Sequence, residues 1–430
     1  MKRIIVLSLF FMYTLFAFAQ KGKANNDTYY SYFEEIAKIT RKCSYIWDKD
    51  LYGPILLVDM ESKQLFSNEP DSLGTLKKEG RIYMGTLPAN LMVANTSMLW
   101  NGKEWAMIML PLSADKYNRI NLITHELFHV AQPSLGFEES NPVNGHLDEK
   151  EGRIYLRLEL EALKKAVQES SKPLQQKHLT NAVVFRKYRN TLYENSEKME
   201  NKLEINEGLA EYTGMICAGR SEKKTKNHLI NGINMFFKNP TYTRSFAYHT
   251  VPVYGYFLQK KQKDWNKDIR SDTDLSIYFI KAFEMQLPED LNKAVDECML
   301  LYNGNTIINE ETAREDSIKK IKTTYKEKFI VLPHIELGFE QMRVSFDPRN
   351  ILSLEDDGTV YPEIKIVDNW GLLVVENGAL MSPAWDKISL TLPFEKKGDF
   401  LIGDGWTLEL NVNYELTKED MTENYKLIKK

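Results

Sequence analysis

The sequence predicts an α+β protein in which a small mixed sheet leads into a long helical region and an all-β domain closes the chain. Three observations carry this expectation. An Asn-Gly hairpin signal lies among apolar runs before residue 112. Apolar residues recur at helical spacing from Ser113 to about Lys328. Beyond Lys328 come short runs rich in Val, Ile, Leu, Tyr and Trp, separated by turn dipeptides. The expected divisions are therefore 1–19, 20–112, 113–328 and 329–430.

Residues 1–19 are set apart from the fold. Lys2 and Arg3 precede an apolar run from Ile4 to Ala17 and a small-x-small exit, Ala17-Phe18-Ala19, which is the layout of a cleavable secretory signal. The run is shorter than the roughly 20 residues that span a bilayer, and no later stretch reaches that length. A secreted or periplasmic protein is expected, with no stable membrane insertion after cleavage. A formal charge of -4 with 27% charged residues offers no basic surplus, which argues against a nucleic-acid binder. Cys43, Cys217 and Cys298 are too few for a disulfide framework, though an oxidising compartment would permit one bridge, and none forms a CxxC pair.

Taken in order, YYSYFEEIAKITRKCSYI reads as a helix, and PILLVDM and KQLFSN read as strands joined through Glu61-Ser62. LMVANTSMLW and EWAMIMLPL flank Asn101-Gly102, a dipeptide that accepts the positive φ angles of a two-residue turn. In the next helix Ser113 or Asp115 can cap, Ile120, Ile123, Leu127 and Val130 recur on one face, and Pro133 stops the run. Asp148 and Glu151 form a D-x-x-E capping pattern before the following helix, which Pro173 ends. Helices are expected over about Gln175–Glu194 and Glu197–Ala218, and further ones from Asn227 onward. Asp357-Gly358, Asn377-Gly378 and Gly403-Asp404-Gly405 then punctuate a β-sandwich-like domain.

The chemistry centres on His125-Glu126-Leu127-Phe128-His129. Two imidazoles four residues apart share a helix face about 6 Å apart along the axis, and both can reach one Zn2+ at about 2.0–2.1 Å. Glu126 projects from the adjacent face, where it can meet water on the metal instead of binding it. Two histidines among Ile120, Ile123, Leu127 and Phe128 would be costly to bury without a metal or another partner. His146, His178, His228 and His334 have no partner pattern and read as structural or exposed.

A catalytic zinc takes three protein ligands and keeps one position open. Glu207 and Glu211, in Asn206-Glu207-Gly208-Leu209-Ala210-Glu211-Tyr212, lie at i and i+4 on a predicted helix, so one can bind metal while the other orients a ligating imidazole. Glu151 and Glu159 are rivals for the ligand position, with plainer readings as a capping residue and as a solvated or ion-paired position. Glu200, Glu204, Glu207 and Glu211 together also read as an acidic outer stripe.

HELFH followed by NEGLAEY resembles the HExxH plus NExxx(D/E) pair of the gluzincins, the metallopeptidase group that includes thermolysin and the aminopeptidase N family. The resemblance covers residues 53–218 and leaves out the C-terminal β domain. It implies a zincin-like core, peptide-bond hydrolysis, Glu207 as third ligand and Glu211 as the acid behind the ligands. It also likens EWAMIMLPL to the edge strand along which such enzymes lay an extended peptide or protein substrate. The interval of residues 130–206 is far longer than in the two families named, so a helical insertion is expected there.

In the mechanism this implies, Glu126 takes a proton from the attacking water and delivers it to the leaving amine. A donor from the segment around Tyr248, His249 and Tyr254 stabilises the oxyanion, with aromatic core packing as the plainer reading of each. Trp370, Trp385 and Trp406 of the β domain read as core or as a docking surface. The alternative from another class is a non-catalytic surface binding protein with a structural or vestigial zinc, against which Glu126 argues, since a structural site needs no base.

Overall fold

The structure, a computed structural model, describes residues 26–88, 91–346 and 350–430. The signal expected over residues 1–19 lies outside the described residues. The chain divides into two units, one ending at Ala131 and the other running from Gln132 to Lys430.

The first unit begins with α1 (Asn26–Lys42) and builds β1 (Ile55–Asp59), β2 (Gln64–Ser67), β3 (Lys77–Glu79), β4 (Ile82–Thr86), β5 (Thr96–Trp100) and β6 (Lys103–Leu110) before α2 (Lys116–Ala131). The sheet order is β3-β4-β2-β1-β6-β5. It is mixed because β1 and β6 pair in parallel, while every other neighbour is antiparallel. The parallel pair is fully apolar in its middle, with Leu56, Leu57, Val58, Ala106 and Ile108 buried, as a strand covered on both faces requires. Asn101 (φ 47°) and Gly102 (φ 77°) make the expected turn between β5 and β6. EWAMIMLPL is not the edge strand it was likened to. As β6 it lies between β1 and β5, and β5 forms the edge.

The second unit opens with helices α3 (Lys150–Gln168), α4 (Lys172–Leu192) and α5 (Ser196–Leu203). A π turn (Glu204–Gly208) then passes into α6 (Leu209–Cys217). Next come α7 (Glu222–Phe236), α8 (Ala247–Lys261), α9 (Leu275–Ala282), α10 (Leu291–Cys298) and α11 (Gly304–Lys326). Asp148 and Glu151 do not form the expected capping box. Glu149 occupies the N-cap of α3 without a side-chain cap, and Asp148 instead accepts from the Tyr242 amide at 2.8 Å and from Thr241. A tertiary partner has taken the carboxylate a local cap would use. The helix expected over Glu197–Ala218 is interrupted by the π turn, a break with no sequence signature of its own.

The β region of this unit runs through β7 (His334–Gly338), β8 (Arg343–Phe346), β9 (Leu352–Ser353), β10 (Thr359–Tyr361), β11 (Ile364–Asp368), β12 (Gly371–Val375), β13 (Ala379–Met381), β14 (Lys387–Thr391), β15 (Phe394–Lys397), β16 (Phe400–Gly403), β17 (Trp406–Leu410), β18 (Tyr414–Lys418) and β19 (Tyr425–Lys429). Two sheets form, β18-β19-β7-β14-β13-β10-β9 and β15-β16-β17-β12-β11-β8. One apolar core joins them, drawing Ile335, Ile388 and Leu390 from the first and Ile366, Leu373 and Leu408 from the second. Trp370 and Trp406 belong to that core, whereas Trp385 is 40% exposed. Phe329 and Tyr325, at the end of the helical stretch, pack with Leu354, Val360 and Leu380, so helices and sheets share one unit.

Candidate metal centre

Helix α2 starts where Asp115 accepts from the Asn118 amide at 3.0 Å, the capping choice between Ser113 and Asp115. It ends at Ala131, two residues before Pro133. Ile120, Ile123, Leu127 and Phe128 are buried, and Phe128 packs on Trp47 with ring centroids 5.0 Å apart. These contacts fix the rotation of the helix and with it the direction of its polar residues.

His125 and Glu126 are only 3% and 4% exposed. The two Nε2 atoms of His125 and His129 stand 3.0 Å apart, with the rings inclined at 70°. Ligand atoms of His125, Glu126 and His129 all lie within 4.8 Å of one another. Two nitrogens bound at about 2.0–2.1 Å to one tetrahedral ion would be separated by about 3.3–3.4 Å, so this pair is within a few tenths of an ångström of the spacing a zinc ion needs. The pair of imidazole nitrogens, one ring buried and the other half-buried, beside a buried carboxylate is a group of side chains that suits a divalent cation. The residues present fit the metal.

Edge strand β5 pairs with β6 through Trp100↔Lys103 and Leu99↔Glu104. The pair flanking a two-residue turn exchanges hydrogen bonds, and the next pair does not. The peptide groups of Leu99 and Ser97 therefore face the open side. The Ser97 carbonyl takes the Thr96 hydroxyl at 3.0 Å, which leaves Leu99 to present a donor and an acceptor together on that side.

In the second unit Glu207 lies in the π turn. Such single π turns recur at functional sites because the inserted residue turns downstream side chains by about 100° from their α-helical direction. Asn206 Nδ2 donates to Glu207 Oε1 at 3.2 Å, and the Tyr248 hydroxyl donates to Oε2. The Asn206 carbonyl in turn accepts from Gln132 Nε2 at 3.0 Å. A Cβ on Gly208 would stand 2.5 Å from Val251 Cγ2, so only glycine lets α8 approach the turn this closely.

Glu211, Tyr248 and His249 line one cavity of about 290 Å³ with His228, Leu229 and Gly232. Burial pushes His249 down to about 4, opposed by Glu211 and reinforced by His228, so its ring is neutral near pH 7. His228, read from sequence as structural or exposed, thus belongs beside candidate residues. It lies on α7, and no motif in the sequence links it to Tyr248 or His249.

Tyr254 is corrected out of the oxyanion candidates. It is fully buried and donates to Glu159 at 3.2 Å, and the phenol is held well above its usual range by burial first and by Glu159 next. Of the rival ligands, Glu151 is exposed. Glu159 is fully buried between Arg186 and Arg189, the ion-paired reading. The acidic outer stripe is corrected as well, since Glu200 and Glu204 are 2% and 1% exposed and face those same two arginines.

Comparison of the chain with protein-family models, with curated proteins and with solved structures finds no match.

Proposed function

We propose that this chain is an exported zinc-dependent hydrolase of the gluzincin type whose reaction is hydrolysis of peptide bonds. The observation that carries the reading is the 3.0 Å approach of His125 Nε2 and His129 Nε2 beside the buried Glu126 carboxylate. Glu207 is assigned as the third ligand from the sequence pattern. Its two carboxylate oxygens, each held by a neighbouring donor, support a carboxylate kept in one orientation.

Zinc held by these residues would supply a Lewis acid and lower the pKa of its water towards about 7. The remaining work falls to the chain. Glu126 accepts a proton from the attacking water and returns it to the leaving amine. Glu126 is buried beside the two imidazoles, which places its carboxylate within reach of a water at the site and away from bulk solvent. The outward peptide groups at Leu99 give an extended substrate a strand to pair with, the β-addition mode of recognition. A peptide held this way presents its carbonyl in a fixed register, which is why peptides are favoured over small esters.

The test is hydrolysis of a quenched fluorescent peptide library by the mature chain before and after chelation, with zinc restored afterwards. Chelator-sensitive, zinc-restored cleavage is expected. Cleavage indifferent to the chelator, or cleavage of small esters alone, would contradict the proposal.

A further inference from the structure

We propose that Thr250 and Arg186 are positioning residues for Glu207, acting through the Glu204 carboxylate at the start of the π turn; this rests on the zinc-site reading above. The observation is an unbroken buried relay of charge within the second unit. Arg189 holds Glu200 through Nε at 2.9 Å and Nη2 at 2.6 Å, and reaches Glu159 through Nη1 at 2.9 Å. The other oxygen of Glu159 accepts from Arg186 Nε at 2.8 Å. Arg186 then grips Glu204 with both terminal nitrogens, at 2.9 and 2.7 Å. None of the five side chains is more than 3% exposed.

The relay has two arms with different addresses. Its Glu200 arm ends on α5, where His146 Nε2 lies 2.8 Å from Glu200 Oε1. Its Glu204 arm ends on the first residue of the π turn and takes one more donor, the hydroxyl of Thr250 on α8. Two residues earlier on α8, Tyr248 donates to Glu207. Helix α8 is therefore pinned to the π turn twice, by Thr250 at Glu204 and by Tyr248 at Glu207, with Gly208 in contact with Val251 alongside.

A π turn departs from the regular hydrogen-bond register, so tertiary contacts must hold it where it occurs. A buried bidentate guanidinium–carboxylate pair is suited to that task, because its planar geometry fixes direction as well as distance. Loss of the Thr250 hydroxyl would remove one of the two pins and let Glu207 and Tyr248 shift against each other. The arm at Glu200 is equally buried but ends a turn earlier, so it supplies an internal control.

The experiment compares Thr250→Val, Thr250→Ser, Arg186→Lys and His146→Gln in the full mature chain. Zinc affinity is read by chelator competition, amide hydrogen exchange over residues 204–211 in metal-free protein, and the thermal midpoint for each. Thr250→Val is expected to weaken zinc about 10–100-fold and to accelerate exchange over 204–211, with Thr250→Ser restoring both. Arg186→Lys is expected to act in the same direction. His146→Gln should lower the thermal midpoint without moving either of the other readouts. The proposal is overturned if Thr250→Val lowers only the midpoint, or if His146→Gln reproduces its effects. A parent chain that binds no zinc would instead defeat the hydrolase reading, and the exchange measurement would still decide the positioning role.

Discussion

Tyr248 donates its phenolic hydrogen to Glu207 Oε2 while Asn206 Nδ2 reaches Oε1, so the carboxylate is gripped at both oxygens by residues of its own unit. If Glu207 is the ligand proposed above, a hydroxyl engaged this way orients it before it can serve a reacting carbonyl. Tyr248→Phe should therefore weaken zinc about 10–100-fold, as loss of a group behind a ligand does. Chelator competition reads this directly. If zinc affinity is unchanged while kcat falls about 10²–10³-fold, the hydroxyl is an oxyanion donor and not an orienting group.

Tyr254 gives the contrasting case. Its hydroxyl donates to buried Glu159, a charged acceptor, so Tyr254→Phe should cost about 1.5–3 kcal/mol of stability and leave the kinetics of peptide cleavage unaltered. Urea unfolding and initial rates on the same preparation check both halves. A loss of kcat with unchanged stability would return Tyr254 to the candidate list.

Much of this was legible in the sequence, and the parts that were not share a cause. The HELFH helix, its Pro133 stop and the Asn101-Gly102 turn are local, since spacing and backbone preference within a few residues determine them. Glu200 and Glu204 were open to misreading because an acidic stripe looks the same whether it faces water or arginines. Here Arg189 and Arg186, earlier in the chain, cover it. The strand order was hidden for a similar reason. The parallel pairing of β1 with β6, distant in sequence, moves EWAMIMLPL off the edge. The π turn is contacted by Arg186, Thr250 and Val251, which lie elsewhere in the sequence, so nothing local marks it.

Gly232 lies in the interior of α7, where glycine costs about 0.5–1 kcal/mol relative to alanine, and it lines the cavity beside His249. A Cβ there would sit 3.3 Å from His249 Nδ1. If the cavity receives a substrate side chain, Gly232→Val should raise KM several-fold for peptides with large side chains and spare those with small ones. A uniform change across the peptide series would mean that the cavity is not a specificity pocket.

Acid should destabilise the metal-free chain in two stages. Burial holds His249 at about 4, below its ordinary 6.5, so between those values the unfolded chain binds more protons and stability rises with pH. The contribution is on the order of 3 kcal/mol. Burial alone would raise Glu200, but Arg189 outweighs it and holds the carboxyl at about 2, so its contribution is present above about 4.5 and is lost as pH falls towards 2. The urea midpoint should therefore be lower at pH 5 than at pH 7, and His249→Gln should reduce that difference. An unchanged difference in the variant would assign the first stage to another group.

Zinc content and turnover measured together on the parent chain and on His129→Ala, Glu207→Ala and Glu126→Ala test the central claim most directly. The account predicts about one zinc per parent chain, severe loss of metal in His129→Ala and Glu207→Ala, and retained metal without turnover in Glu126→Ala. A parent chain that holds no zinc, or a Glu126→Ala variant that cleaves peptide as fast as the parent, would contradict it.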